Sequence, residues 1–270
     1  MKKRIIGFLS GMFPNFFVRL AYQKLTNPQV RNLRATELEV LKKAKQEVFP
    51  FRNFSIQTYA WLGGSKKILL IHGWEGQAGN FSFLIEALLA KGYTVHAFDG
   101  PSHGFSSKGE TSLFEFAALV DELVRHYQIA HLVSHSFGSV ATTYALSNNP
   151  ALKIEKYVLL TSPDKFSERI NYVIQQVGLS KKVEIRLIER IEKELQMKVH
   201  ELNVSTFIKS ANVASALIIH DKHDKVIPIQ QSRSVQSEWK NCRLEEVEGT
   251  GHFKVLTTDW VINKIIAFME

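Results

Sequence analysis

The sequence predicts an α/β protein: a mostly parallel sheet covered by helices on both faces. Three observations predict it. Short apolar runs of strand length alternate with longer segments of helical spacing from residue 55 to residue 270, the pattern of parallel strands joined by crossover helices. Residues suited to acid–base and nucleophilic chemistry gather in the polar loops after strand candidates, where open α/β sheets place their sites. The length of 270 residues, 45% of them hydrophobic, suits one large domain with a buried core.

Taken in order, residues 55–62 read as an early strand, and Gly63-Gly64 turns the chain into a second strand over 66–72, built on Ile68-Leu69-Leu70-Ile71. A helix is expected over 81–91 and a strand over 93–99. The helix over 112–127 carries Phe114, Ala117, Leu119, Val120 and Leu123. A strand at 130–135 runs into a helix at 137–147, and another strand follows at 156–161. Strands at 214–220 and 243–248 and a helix over Asp259–Met269 close the chain. One stretch breaks the alternation. Residues 163–212 hold no strand pattern, only helical spacing: Phe166, Ile170, Ile174 and Val177, then Val183, Leu187, Ile191 and Leu195. Fifty residues exceed what a single crossover needs, and the plain reading is helices that only cover the sheet.

Ser136 lies in the run Val133-Ser134-His135-Ser136-Phe137-Gly138, between a strand candidate and a helix candidate. A serine at such a junction sits on a tight turn with its hydroxyl exposed and the first N–H groups of the helix beside it, where the helix dipole favours developing negative charge. The plainer reading is a helix N-cap. A nucleophilic serine needs a base, and the base needs a carboxylate. Both types stand downstream, in Leu217-Ile218-Ile219-His220-Asp221-Lys222-His223-Asp224 and in Glu248-Gly249-Thr250-Gly251-His252, each after a strand candidate. Upstream, the strand at 66–72 runs into Gly73-Trp74-Glu75-Gly76, a loop able to supply a second oxyanion donor.

Together these segments resemble the α/β-hydrolase family, over residues 55–270. The H-G-x-x-G loop is matched by His72-Gly73-Trp74-Glu75-Gly76. The D-x-P-x-H-G-x-S stretch is matched by Asp99-Gly100-Pro101-Ser102-His103-Gly104-Phe105-Ser106, and the elbow by the residues around Ser136. The acid loop ends in Asp224 before Val226-Ile227-Pro228, and Gly251-His252 completes the set. The resemblance is to lid-bearing, esterase-like serine hydrolases of bacterial type. It implies Ser136 as nucleophile, Asp224 as acid, His252 as base, and the backbone N–H groups of Trp74 and Phe137 as the oxyanion hole. His72, His135, Phe166 and Ile170 are candidates to line the substrate pocket. Two residues depart from the family pattern. Ser134 replaces the first elbow glycine, and Asp221 stands where many relatives have glycine. Asp224 is preferred to Asp221 as the acid for its spacing to Val226-Ile227-Pro228, which leaves Asp221 a loop residue bonding its own backbone.

No metal or organic cofactor is implied; His220, Asp221, His223 and Asp224 cluster in sequence, but on an irregular loop they share no fixed face. His103 belongs to a family turn and is expected to be structural. The lone Cys242 has no disulfide partner and is expected to pack as a small apolar residue. No apolar run reaches the length of a membrane span.

The formal net charge of +8 is unevenly placed: residues 1–52 hold eleven Lys/Arg and three Asp/Glu, and the remaining residues hold 23 of each. Residues 1–52 are therefore read as a basic, amphipathic, helical extension. The core falls at 53–162 and 213–270, with the lid at 163–212. Within the extension, Ile5, Leu9, Met12, Phe13, Phe16, Phe17 and Leu20 recur at helical spacing, with Lys2, Lys3, Arg4 and Arg19 near the polar side; a second amphipathic stretch follows at 36–48. Packing on the catalytic domain is the favoured reading, because such a stripe more often marks a buried face. Contact of residues 1–25 with an anionic membrane surface is the alternative, and a cleaved signal peptide the weakest. Nucleic-acid binding has no supporting motif. The expectation is thus a cytoplasmic, or membrane-peripheral, serine hydrolase of an uncharged acyl ester. An acyltransferase, a membrane-surface lipase and a non-catalytic binding protein on the same scaffold stand beside it.

Overall fold

The computed structural model describes residues 2–29 and 32–270; Met1, Val30 and Arg31, which fall within the 1–52 extension expected from sequence, lie outside the described residues. Eight strands form one sheet: β1 (Lys45–Phe51), β2 (Phe54–Trp61), β3 (Lys67–Ile71), β4 (Thr94–Phe98), β5 (His131–His135), β6 (Ile154–Leu160), β7 (Val213–Asp221) and β8 (Cys242–Val247). Their order is β1-β2-β4-β3-β5-β6-β7-β8. β1 pairs antiparallel with β2, and β2 antiparallel with β4; every pairing from β4 to β8 is parallel.

Successive side chains of a strand point to opposite faces, and here both faces are covered. Leu69, Ile71, Leu132, Leu159 and Ile218 point to a core shared with α5 (Leu113–Tyr127) and α6 (Phe137–Asn148). Ile68, Leu70, Val133, Val158 and Leu217 point to the other core, shared with α4 (Ser82–Ala90) and α12 (Asp259–Met269). Double coverage explains why the central strands read as unbroken apolar runs. From β3 the chain steps outward to β4, then crosses back to β5 on the far side of β3. The strand order reverses there, at the carboxyl ends of β3 and β5, which is where open α/β sheets place their sites.

The amino-terminal segment holds α1 (Lys2–Met12), α2 (Pro14–Thr26) and α3 (Ala35–Lys42). The helical reading of 36–48 ends too late: α3 stops at Lys42 and β1 begins at Lys45, inside the 1–52 extension. β1 is an edge strand on which only Phe51 is buried, so pairing with β2, from Lys45 opposite Ala60 to Phe51 opposite Phe54, fixes its conformation rather than an apolar pattern of its own.

Between β6 and β7 the chain forms α7 (Phe166–Val177), α8 (Lys181–Leu195) and the short α9 (Val204–Phe207). The apolar stripes of α7 and α8 meet α2 in a small separate core of Tyr22, Ile170, Ile174, Leu187, Ile191 and Val199. The amino-terminal helices are thus fastened to the 163–212 segment. Arg190 stacks its guanidinium 3.6 Å from the Tyr22 ring centroid, the Tyr22 hydroxyl donates to Glu194, and Arg186 Nη1 donates to Asn15 Oδ1 at 2.6 Å. After β7 come α10 (Ile229–Glu238) and, beyond β8, the one-turn α11 (Gly251–Lys254). Cys242, the first residue of β8, is buried, and burial pushes its thiol up to about 12.

Candidate active site

Ser136 occupies the single residue between β5 and α6, with φ 52° and ψ −120°. That conformation costs a non-glycine residue about 1–3 kcal/mol and is over-determined by its surroundings. Ser136 N–H donates to the Leu160 carbonyl at 2.9 Å, and the Ser136 carbonyl accepts from Ser139 N–H at 2.8 Å. Gly138 is required for the close approach: a Cβ there would lie 2.6 Å from the His72 carbonyl oxygen and 2.7 Å from that of Ile71. Ser134, in place of the first elbow glycine, is not among the residues with positive φ. Its buried hydroxyl is satisfied by Ser139 Oγ at 2.8 Å and Tyr157 OH at 2.7 Å.

The side chains of Ser136, His252 and Asp224, distant in sequence, form one hydrogen-bonded line. His252 Nε2 lies 3.1 Å from Ser136 Oγ, and His252 Nδ1 lies 2.8 Å from Asp224 Oδ2. A carboxylate only accepts, so Nδ1 carries the proton, and neutral Nε2 accepts from the serine hydroxyl. Burial alone would raise the Asp224 carboxyl. Hydrogen bonds from His220, His252 and the Ile227 N–H outweigh it and hold the group well below the ordinary carboxylate range. Asp224 Oδ1 accepts from the N–H groups of Val226 at 2.7 Å and Ile227 at 3.0 Å. The spacing to Val226-Ile227-Pro228 therefore has a physical reason: the residues after Asp224 turn back to hold it. His220, fully buried, has Nε2 2.9 Å from the Ile227 carbonyl and 3.4 Å from Asp224 Oδ2, with Nδ1 2.6 Å from Ser232 Oγ.

Asp221 does more than bond its own loop. One oxygen, Oδ1, accepts from His223 N–H at 2.7 Å. The other accepts from Thr250 N–H at 2.6 Å, Gly251 N–H at 2.7 Å and Thr250 Oγ1 at 3.1 Å. This carboxylate, 1% exposed, clips the loop that carries His252 to the loop that carries Asp224. Burial favours its neutral form, but the N–H donors of Gly251, His223 and Thr250 outweigh that and lower its pKa.

The loop after β3 lies against Ser136: a Cβ on Gly73 would stand 3.2 Å from Ser136 Cβ. Neither Trp74 N–H nor Phe137 N–H has a protein acceptor among the described residues. The Phe137 N–H opens the twelve-residue α6, whose positive dipole end adds to it. The Trp74 ring packs edge-on to Phe137 and His103 at centroid distances of 5.3 and 5.1 Å.

The remaining pocket candidates occupy other places. His72 is buried, with Nδ1 donating to the Gly73 carbonyl at 2.7 Å and Nε2 accepting from Gly100 N–H at 2.8 Å. Both nitrogens are committed to backbone, so His72 joins the 73–76 loop to the 99–104 turn instead of facing a substrate. His135 Nε2 donates to the His252 carbonyl at 2.9 Å; burial, then the neighbouring His252, lowers its pKa to about 3. It is a neutral strut beneath His252. Ile170, 2% exposed, is enclosed by α2 and α8, since the stripe of α7 on which it lies faces that core. Phe166 is half-buried between this core and that of the sheet. Asp99 accepts from Ala78 N–H and Phe105 N–H, both at 2.8 Å, and from Tyr59 OH at 3.1 Å. The whole Asp99–Ser106 stretch is in this sense a structural staple.

Comparison with known proteins agrees with this architecture. A family model described as the alpha/beta hydrolase fold matches residues 66–180. The chain is 34% identical over 113 residues to the dihydrolipoyllysine-residue acetyltransferase component of the acetoin cleaving system of Cupriavidus necator, covering 40% of this chain and 29% of that protein. It is 31% identical over 173 residues to the abhydrolase domain-containing protein abhd-5.2 of Caenorhabditis elegans, covering 58% and 38%. The chain spans only about a third of the length of these curated relatives. Among solved structures, the Pyrococcus furiosus esterase Pf2001 superposes with a TM-score of 0.64 at 18% identity, covering 91% of this chain and 97% of that one. With the sheet order and the matched model in agreement, the chain has the α/β-hydrolase fold.

Proposed function

We propose that the protein is a serine hydrolase cleaving a carboxylic ester or related acyl bond through an acyl-enzyme on Ser136. The observation that carries this reading is the line Ser136 Oγ–His252 Nε2–His252 Nδ1–Asp224 Oδ2, at 3.1 and 2.8 Å. Ser136 Oγ attacks the acyl carbon as its proton passes to His252 Nε2. The oxyanion is held by the N–H groups of Trp74 and Phe137, neither of which has a protein acceptor among the described residues. The leaving alcohol departs with the proton from His252. Water then enters, gives a proton to His252 and releases the acid, and Ser136 recovers its proton. Asp224 stays ionised throughout, consistent with its lowered pKa, and stabilises the imidazolium. No step calls for a metal or an organic cofactor.

Residues 163–212 serve in this reading as a cap. They leave the sheet after β6 and return in β7, so they issue from the same carboxyl edge as Ser136.

A serine-directed fluorophosphonate tests the nucleophile directly. Labelling of the native chain that disappears in Ser136→Ala, together with turnover of p-nitrophenyl esters, supports the reading. Absence of both in folded protein would return the chain to a binding role. Turnover that appears only when an alcohol acceptor is supplied would make it an acyltransferase.

A further inference from the structure

α1 is mounted the wrong way round for a helix that exists to be packed. Ile5, Phe8, Leu9 and Met12 recur at the i, i+3, i+4, i+7 spacing of an apolar stripe, yet they are 52%, 68%, 40% and 58% exposed. The small and polar face is the one set against the protein. Lys3 Nζ donates to the Gln175 carbonyl at 3.2 Å, and Ser10 Oγ accepts from Ser180 N–H at 2.9 Å. A Cβ on Gly7 would stand 3.3 Å from the Gly178 carbonyl oxygen. α2 divides its residues likewise: Val18 and Tyr22 are buried, while Phe16 and Leu20 are exposed, as is Phe13 in the bend before it. The two outward stripes run up to the bend between the helices, which turns the chain through 116°. A soluble surface rarely leaves a cluster of large apolar side chains uncovered without a partner.

Charge identifies the partner. Residues 1–36 contain seven Lys/Arg and no Asp or Glu. A second copy docked face to face would set one cationic rim against another, whereas an anionic surface matches it. Among the described residues no single helix is long and apolar enough to cross a membrane, and α1, at eleven residues, spans only about 16 Å at 1.5 Å per residue. An apolar stripe with a basic border on a short helix is the form that lies in the headgroup region. We propose that the outward face of the α1–α2 hairpin docks the protein on the anionic face of a phospholipid membrane. Docking does not depend on the catalytic reading, and it is measured separately from activity.

The test is flotation of the full chain with vesicles of phosphatidylcholine alone and of equal parts phosphatidylcholine and phosphatidylglycerol, each repeated with Ser136→Ala. Binding at least tenfold tighter to the anionic vesicles is expected, equal for the native chain and Ser136→Ala. It should weaken as salt is raised, since screening shortens from about 8 Å at physiological ionic strength to about 3 Å at 1 M. The double variant Phe8→Ser/Met12→Ser should lose at least tenfold in vesicle binding with an unchanged melting temperature, because both side chains are already exposed. Arg4→Gln/Arg19→Gln should flatten the salt dependence. Equal binding to both vesicle types, or no binding to either, would overturn the proposal. So would a dimer in solution that Phe8→Ser/Met12→Ser dissociates, which would make a second copy the occupant.

Discussion

At the carboxyl edge of the sheet, Asp221, Asp224, His72, His135, His220 and His252 are all buried, while on α1 and α2 the side chains of Ile5, Phe8, Met12, Phe13 and Phe16 stand in solvent. The two regions depart from inside-out partitioning in opposite directions, and the energetics differ. Burying a polar group is costly unless a hydrogen bond replaces water, and at the sheet edge each of the six has a partner of stated geometry. That network closes within the chain. Leaving apolar surface exposed forgoes stabilisation that no contact among the described residues restores, which is why the helical hairpin carries the docking proposal. One region is read from its internal contacts, the other from the contacts it lacks.

The largest effect is expected from removing the centre of the polar network. Ser136→Ala and His252→Ala are each expected to lower ester turnover by about 10⁴-fold or more, and Asp224→Asn by about 10⁴-fold, with the fold retained by circular dichroism. Survival of activity in Ser136→Ala would mean that the hydrogen-bonded line is not the reaction centre.

Acid probes the whole network at once. Burial, before any neighbouring charge, depresses the imidazoles of His72, His96, His103 and His135, the second and third to about 4 and the last to about 3. In the unfolded chain they titrate near 6.5. The unfolded state therefore binds more protons between 6.5 and the folded values, so stability present above pH 6.5 is lost as pH falls. Each such histidine contributes a slope of about 1.4 kcal/mol per pH unit inside its window. Asp221 and Asp224, lowered by their hydrogen bonds, extend the loss below pH 4, while Asp99, raised by burial, opposes it. The melting temperature should fall steeply from pH 6.5 to pH 4; a flat profile would mean that these rings are solvated.

Asp221 sharpens the comparison further. Asn offers one acceptor oxygen where two accept now and turns an NH₂ towards an N–H, leaving a buried donor without a partner, at a cost of about 1–3 kcal/mol. Misplacing the His252 loop by a fraction of an ångström is expected to lower kcat about ten- to a hundredfold with KM nearly unchanged. Turnover equal to that of the native protein would reduce the clip to a contribution to folding alone. The smallest effect concerns strain. Ser136→Gly relieves the positive φ and should raise stability by about 1 kcal/mol while abolishing turnover. A loss of stability would show that the hydroxyl, and not the backbone, dominates at that position.

Much of this was legible in the sequence, and the limits have physical causes. The central strands and α12 are legible because a sheet covered on both faces demands continuous apolar runs and short connections. Ser136, Asp224 and His252 are legible because each follows such a run. β1 is not, since five of its seven residues point into solvent and its conformation comes from β2. Neither is the reach of Asp221, because its partners are the backbone N–H groups of Thr250 and Gly251, and a backbone donor carries no residue identity. Periodicity reveals that α1 and α7 have apolar stripes; it does not say which way they face. Ile170 faces the α2–α8 core and Phe8 faces out, although both stripes have the same spacing.

The burial of Cys242 has a practical consequence. With its thiol held at about 12, hardly any thiolate exists at neutral pH, and the sulfur at the start of β8 is shielded from reagents. The native chain is therefore silent towards maleimides. A cysteine introduced at Phe8 or Leu20 would be the one site to react, so an environment-sensitive dye placed there would report its surroundings against no background.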